Sequence, residues 1–423
     1  MSVTKVNYRE LEKSANDKKL ITEGAVYDSI SLEHFQPEKV LPLLHHVNDF
    51  ISIKEDEIEA ATVAYEDLAN ILVNKLNWPR DNIKIHPQGS ASSSTLIRSP
   101  NSNERFDIDA ICEIDHLDAY KDGPSAFFNK IGGALDDEDF DVEMKKRCWR
   151  VQWRGEGYYI DLTPAVKSSN ISLHENNVRY FAQDEHYSED AVWVVNEPTK
   201  QWYSSNPRGF NKWISDRNFD SQFLILSPAL ESLDAAYRAE AEPVPDQEIS
   251  MQDNLLLAIR LFKRHRDIKV QRNLLSSDFK PISVIITTLL GQCVNAMRGN
   301  GRLYGSIVEL LEVLAGTIPK LVYFDGNTPI IPNPTAEGEN FADRWLEDDH
   351  QRMDSFFEWT ELLKDDLKRL AVSQDDISRL EIIKDIFGCS GMTNPPDVPR
   401  GGNPLATAIP GAPSRSVPDK GLA

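Results

Sequence analysis

Residues 86–115 read HPQGSASSSTLIRSPNSNERFDIDAICEID. From Phe106 to Ile114 the pattern alternates. Phe106, Ile108, Ala110, Cys112 and Ile114 form one apolar face, and Asp107, Asp109 and Glu113 form the other. A period of two over nine residues predicts a half-buried strand. Asp107 and Asp109, at i and i+2, point to the same side with Cα atoms ~7 Å apart. At an effective dielectric near 20, two unit charges ~4 Å apart repel by roughly 4 kcal/mol, and a divalent cation between them reverses that sign. Just ahead lies Gly89-Ser90, followed by a Ser/Thr-rich run that reads as a turn or short helix.

A third acid lies downstream. RCWRVQWRGEGYYIDLTPAV, residues 147–166, predicts a hairpin turned at Gly155-Glu156-Gly157. In its second arm Tyr159, Asp161 and Thr163 share a face. Three carboxylates on neighbouring strands make an all-oxygen cage, which suits Mg²⁺, with Mn²⁺ as an alternative ion. A pair of such ions can stabilise both the attacking and the leaving oxygen of an in-line phosphoryl displacement. On that reading Asp107 and Asp109 hold the ion that rides on a triphosphate, and Asp161 completes the second metal site. Gly89 and Ser90 offer a close backbone N–H and a hydroxyl to the phosphates. Taken singly, each feature has an ordinary explanation: a turn, a polar strand face, a surface aspartate. Their order along the chain is what singles them out. His86 reads as a loop histidine, and the charges of KKRCWR (145–150) read as an exposed strand face. Lys263 reads either as part of a solvated helix face or as a phosphate contact.

The remaining periodicities are mostly helical. ISIKEDEIEAATVAYEDLANILVNKL (51–76) places Ile58, Ala61, Tyr65, Leu68, Leu72 and Leu76 on one stripe and ends at Trp78-Pro79. Asn82–His86 reads as a strand edge. After about residue 216 the character becomes helical. LLLAIRLFKRHRD (255–267) is apolar on most of its circumference, with Arg260, Lys263, Arg264 and Asp267 on the rest. ISVIITTLLGQCVNAM (282–297) reads as a buried helix, although its β-branched run also fits a strand. Residues 340–371 read as one long amphipathic helix. Ser373 and Asp376 resemble a capping box for a last helix ending near Gly388. From Asn394 the chain is rich in Pro, Gly and Ala without aromatics, which predicts a mobile tail.

Composition bounds the function. The 423 residues suffice for two cored domains, and 40% are hydrophobic. The formal net charge of −21 argues against a protein that grips long stretches of phosphate backbone. No segment approaches a membrane span. The polar start MSVTKVNYRELEKSANDKK lacks a signal-peptide core. The four cysteines, Cys112, Cys148, Cys293 and Cys389, are far apart, so a structural zinc site is not expected. Reduced thiols fit a cytoplasmic location best.

With these residues in view, the chain resembles the polymerase β-type nucleotidyltransferase superfamily. Within it, the chain most resembles the bacterial cGAS/DncV-like nucleotidyltransferases. Gln88-Gly89-Ser90, Phe106-Asp107-Ile108-Asp109 and Tyr159–Ala165 match that family's active-site segments. Asn206-Pro207-Arg208-Gly209-Phe210 with Trp213 resembles the segment that closes its catalytic domain. Leu261–Asp267 resembles the helix whose lysine, here Lys263, contacts the donor triphosphate. Lys280-Pro281-Ile282-Ser283 resembles its following serine segment, and 331–334 with 339–345 its late signature.

The resemblance implies an α+β fold of two lobes with a nucleotide cleft between them. The lobes are a mixed-sheet nucleotidyltransferase core and a C-terminal helical domain. The corresponding boundaries are a lead-in at 1–50, a catalytic core at 51–215 whose helix 51–76 runs along both lobes, a helical domain at 216–390 and a tail at 391–423. It implies catalysis by Asp107, Asp109 and Asp161. It also implies nucleotide contacts from Gln88, Gly89, Ser90, Lys263 and Ser283, and two Mg²⁺ ions. The activity it implies is joining ATP with GTP or further ATP into a cyclic di- or trinucleotide signal in antiphage defence, sensed by a downstream effector. The tail resembles those that ubiquitin-transfer-like enzymes attach to targets through the terminal carboxylate, here Ala423. No zinc insertion is visible, so activation by DNA is not expected. An RNA-tailing polymerase of the same superfamily would need a basic track for the acceptor strand. A small-molecule nucleotidylating enzyme would lack the late helical segments. A non-catalytic nucleotide-binding module would have no need of all three acids.

Overall fold

The computed structural model describes residues 37–390, apart from 102–105, 137–139, 155–156, 172–186, 188, 226–243, 246, 251, 302, 337–338 and 374. The tail from 391, with Ala423, and most of the lead-in lie outside the described residues.

Seven strands form one mixed sheet: β1 (Ile83–Pro87), β2 (Phe106–Ile114), β3 (Phe140–Met144), β4 (Trp149–Trp153), β5 (Tyr158–Lys167), β6 (Val192–Asn196) and β7 (Gln201–Ser205). The order is β1-β2-β5-β4-β3, and β6 joins β5 to β7. Only β2 and β5 run parallel; the other pairs are antiparallel. The apolar residues of the alternating strands, among them Ile108, Ala110, Cys112, Ile160 and Leu162, face a core completed by two helices. These are α2 (Glu55–Leu76), which follows α1 (Pro37–Ile51), and α5 (Pro124–Ala134). Between them the chain makes two four-residue helices, α3 (Gly89–Ser92) and α4 (Leu117–Tyr120). The acidic residues therefore emerge from the sheet face opposite α2 and α5.

The second lobe is helical: α6 (Pro207–Ser221), α7 (Asn254–Gln271), α8 (Ser283–Gly299), α9 (Ile307–Thr317), α10 (Gln351–Ala371) and α11 (Asp376–Phe387), with a small hairpin, β8 (Tyr323–Asp325) and β9 (Thr328–Ile330). Helix α7 is buried on nearly every side and forms the axis of this lobe. Its core also takes Val40, Leu43, Leu44, Val47 and Ile51 from α1. Helix α6 joins the lobes. Trp213 covers Gly291 of α8 so closely that a Cβ there would stand 2.4 Å from the indole.

Several boundaries differ from the sequence expectations. Residues 51–76 are not one helix along both lobes. Helix α1 ends at Ile51, buried in the helical lobe; the chain crosses over at Ser52-Ile53-Lys54; and α2 starts at Glu55 on the catalytic core. Ser52 Oγ donates to the Asn48 carbonyl at 2.8 Å, and the Lys54 amide donates to the Glu57 carboxylate at 3.0 Å, so both new ends are capped locally. The segment 340–371 is helical from Gln351, while Phe341 and Trp345 enter the core from a separate turn. The last helix is capped by Asp375, whose side chain accepts from Ser378 N, rather than by Ser373. Residues 282–297 are helix rather than strand, because their β-branched side chains fill the core between α7 and α9.

Candidate active site

Strands β2 and β5 place Asp109 directly opposite Asp161, with Asp107 opposite Tyr159. One oxygen from each of Asp107, Asp109 and Asp161 lies within 4.8 Å of the others. Asp107 is exposed, Asp109 half-buried and Asp161 buried at 9% exposure. Loss of hydration pushes Asp107 and Asp109 above the ordinary carboxylate range, and the neighbouring carboxylates add to the shift. Such a cluster takes up positive charge readily. Its donors are all hard oxygens, which suits Mg²⁺ or Mn²⁺ and not a thiolate-seeking metal.

The Gly89-Ser90 turn lies against the acids. The Gln88 amide donates to the Asp109 carbonyl at 2.9 Å, fixing the end of β1 to β2. Gly89 has φ +57, and a Cβ on it would come within 2.9 Å of Asp109 Oδ2, so any other residue would be strained there and would push the Asp109 carboxylate aside. The Gln88 side chain donates to Thr163 Oγ1 at 3.3 Å on β5. From the helical lobe, Lys263 donates to Ser90 Oγ at 2.9 Å and to the Thr95 carbonyl at 2.6 Å. Lys263 is 4% exposed, and burial pushes it down to about 7. It is therefore not on a solvated helix face: it holds the Ser90 hydroxyl from below.

A cleft of about 200 Å³ opens above this turn. Gln88, Gly89, Ser90 and Asp109 form one wall; Ser283, Val284 and Thr287, at the start of α8, form another. Phe341, Phe210, Asn333 and Glu339 line the far end. Ser283 Oγ accepts from Arg266 at 3.2 Å. Thus the structure gathers Asp107, Asp109, Asp161, Gln88, Gly89, Ser90 and Lys263 at one place, with Ser283 facing them across the cleft.

Sequence reading missed several residues here. Arg150 is not simply part of an exposed strand face: it sits opposite Asp161 and donates to both its oxygens, at 2.8 and 2.7 Å. The alternation of residues 149–153 separates Arg150 from the apolar Val151 face, but only the antiparallel register with β5 sets it opposite Asp161. Glu339 accepts from Asn333 at 2.8 Å and from Arg147 at 3.3 Å, closing the cleft where the late segment meets the β3–β4 turn. His86 is no loop residue: it lies on β1 at 2% exposure, 3.2 Å from Glu113, with Arg208 beside it. That cluster takes Glu113 out of the acidic site.

Comparison with known proteins agrees with this geometry. Residues 83–164, which include all three acids, match the family model described as the nucleotidyltransferase domain of cyclic GMP-AMP synthase DncV-like proteins. The chain is 25% identical over 268 residues to a c-di-GMP synthase of Roseivirga ehrenbergii, covering 63% of this chain and 62% of that protein. It is 24% identical over 273 residues to the cyclic dinucleotide synthase CdnG of Bradyrhizobium diazoefficiens, covering 63% and 60%. The match thus spans about three fifths of each relative's length. The fold is similar to that of B. diazoefficiens CdnG in complex with GTP, with TM-score 0.56 and 18% identity over 82% of this chain and 94% of that one. It is also similar to E. coli MS115-1 CdnC with ATP, with TM-score 0.54 and 14% identity over 85% and 100%. Residues 83–164 thus match a DncV-like nucleotidyltransferase domain, and in sequence and fold the chain is similar to the cyclic dinucleotide synthases named above.

Proposed function

We propose that this chain joins ATP with GTP, or with further ATP, into a cyclic di- or trinucleotide. The observation that carries this reading is the convergence of Asp107, Asp109 and Asp161 within 4.8 Å beside the Gly89-Ser90 turn. The relatives named c-di-GMP synthase and cyclic dinucleotide synthase support the class of product, and the GTP- and ATP-bound neighbours support the class of substrate.

Asp107, Asp109 and Asp161 would hold two Mg²⁺ ions, with Mn²⁺ able to replace them. Bound there, the metal supplies charge neutralisation at the triphosphate and a lowered pKa at the attacking hydroxyl. The chain's own groups do the rest. Lys263 occupies a lone pair of Ser90 Oγ, which leaves the Ser90 O–H free to donate to a phosphate oxygen. The N-terminus of α8, with Ser283, presents unpaired amides across the cleft, where negative charge is favoured. The Phe341 and Phe210 rings at the far end offer faces for a base.

The finer readings rest on the family resemblance: cytoplasmic antiphage signalling, an effector that senses the product, and attachment through Ala423 by a ubiquitin-transfer-like enzyme. The test is incubation with Mg²⁺ and the four labelled nucleoside triphosphates, followed by phosphatase treatment and mass spectrometry. A phosphatase-resistant cyclic product, with pyrophosphate released, is expected. Product only on added RNA, or no pyrophosphate release at all, overturns the proposal.

A further inference from the structure

We propose that Arg150 competes with the metal for Asp161, and so sets the cation concentration at which the site fills. The inference rests on the reading of the three acids as metal ligands. Strand β4 places Arg150 directly opposite Asp161 on β5, on the face that carries the acids. The guanidinium meets the carboxylate as a two-pronged fork, Nε to Oδ1 at 2.8 Å and Nη2 to Oδ2 at 2.7 Å. Both oxygens of one of the three acids are therefore engaged by a fixed positive charge. The fork is held from below: the guanidinium lies 3.8 Å from the centre of the Tyr159 ring, and Tyr159 shares the face of Asp161 two residues away.

The side chain of Arg150 is 27% exposed, against 12% for Asp161, so the arginine covers the acid from the solvent side of the cleft. A cation reaching the acids must take an oxygen of Asp161 from this fork, or share it, and in either case it meets a like charge at short range. The Tyr159 face lets the guanidinium lean away from Asp161 without leaving its stack. A role limited to holding the Asp161 rotamer for the metal makes the opposite prediction. In that case, removing Arg150 would loosen the ligand and weaken metal binding.

Mn²⁺ alone, titrated into the full chain without nucleotide and followed by the free-ion paramagnetic resonance signal, separates the two roles. Arg150→Gln is expected to bind Mn²⁺ roughly tenfold tighter than the unmodified chain. Arg150→Lys, which keeps the charge but loses the fork, is expected to fall between them. Equal or weaker binding by Arg150→Gln, with circular dichroism unchanged, overturns the proposal. Should Arg150→Gln fail to fold, Arg150→Lys against the unmodified chain decides by the same sign. The double variant Asp107→Asn/Asp109→Asn tests the underlying reading. If its Mn²⁺ binding matches the unmodified chain, the acids are not the ligands and both readings fall. If binding is lost while Arg150→Gln binds no tighter, this inference falls alone.

Discussion

Replacing Asp107 and Asp109 together by asparagine should abolish catalysis and yet stabilise the protein in chelator. The structure sets the size of the effect. Oxygens of the three acids lie within 4.8 Å of one another, and at an effective dielectric of about 20 each such pair, when ionised, repels by at least about 3.5 kcal/mol. The exposure of Asp107 and the opposing charges of Arg150 and Lys263 reduce the net relief to about 1–3 kcal/mol. For a lobe of this size that corresponds to a rise in melting midpoint of about 2–12 °C. The sign depends on pH. Both acids titrate above the ordinary carboxylate range in the fold, so the folded chain keeps protons that the unfolded chain has already lost. The stability they contribute is fully present below about pH 4 and is lost as pH rises through the raised values. The variant has neither group. Its advantage should therefore be small at about pH 5 and largest at about pH 8–9. Thermal unfolding by circular dichroism in chelator, across that range, measures it. A variant that melts lower than the unmodified chain, or by the same margin at every pH, would show that the acids are structural and that the charge argument is wrong.

Two further outcomes follow from the same geometry. Gly89→Ala puts a methyl group into a left-handed backbone and against Asp109 Oδ2. It should cost about 1 kcal/mol of stability but lower kcat by about 100-fold, because a proposed metal ligand is displaced; kinetics and melting measured on the same preparation separate the two effects. Lys263→Met removes the cation that orients Ser90, so the KM for nucleotide should rise roughly tenfold. Burial holds Lys263 at about 7 in the fold, so the unmodified chain loses stability as pH falls from the ordinary lysine range through about 7. The methionine variant should therefore gain on it most at and below about pH 7, as melting curves at several pH values will report.

What the sequence by itself determined is whatever depends on neighbours along the chain. The period-two alternation of residues 106–114 placed Asp107 and Asp109 on one strand face. The same alternation in 158–167 placed Asp161, and the order of Gly-Ser and acids pointed to phosphoryl chemistry. Only tertiary structure could decide which strands lie side by side, because register is set by pairing between distant segments. The parallel match of β2 to β5 brings Asp109 opposite Asp161, and the antiparallel match of β4 to β5 turns Arg150 from a surface charge into the partner of a candidate metal ligand. The break at Ser52 escaped the periodicity because Ile51 and Ile53 are both apolar; they differ only in which of two cores buries them. Likewise, the residue pattern around Lys263 shows a charge on a mostly apolar helix. Only the packing of that helix under the Gly89-Ser90 turn makes it a buried cation beneath the site.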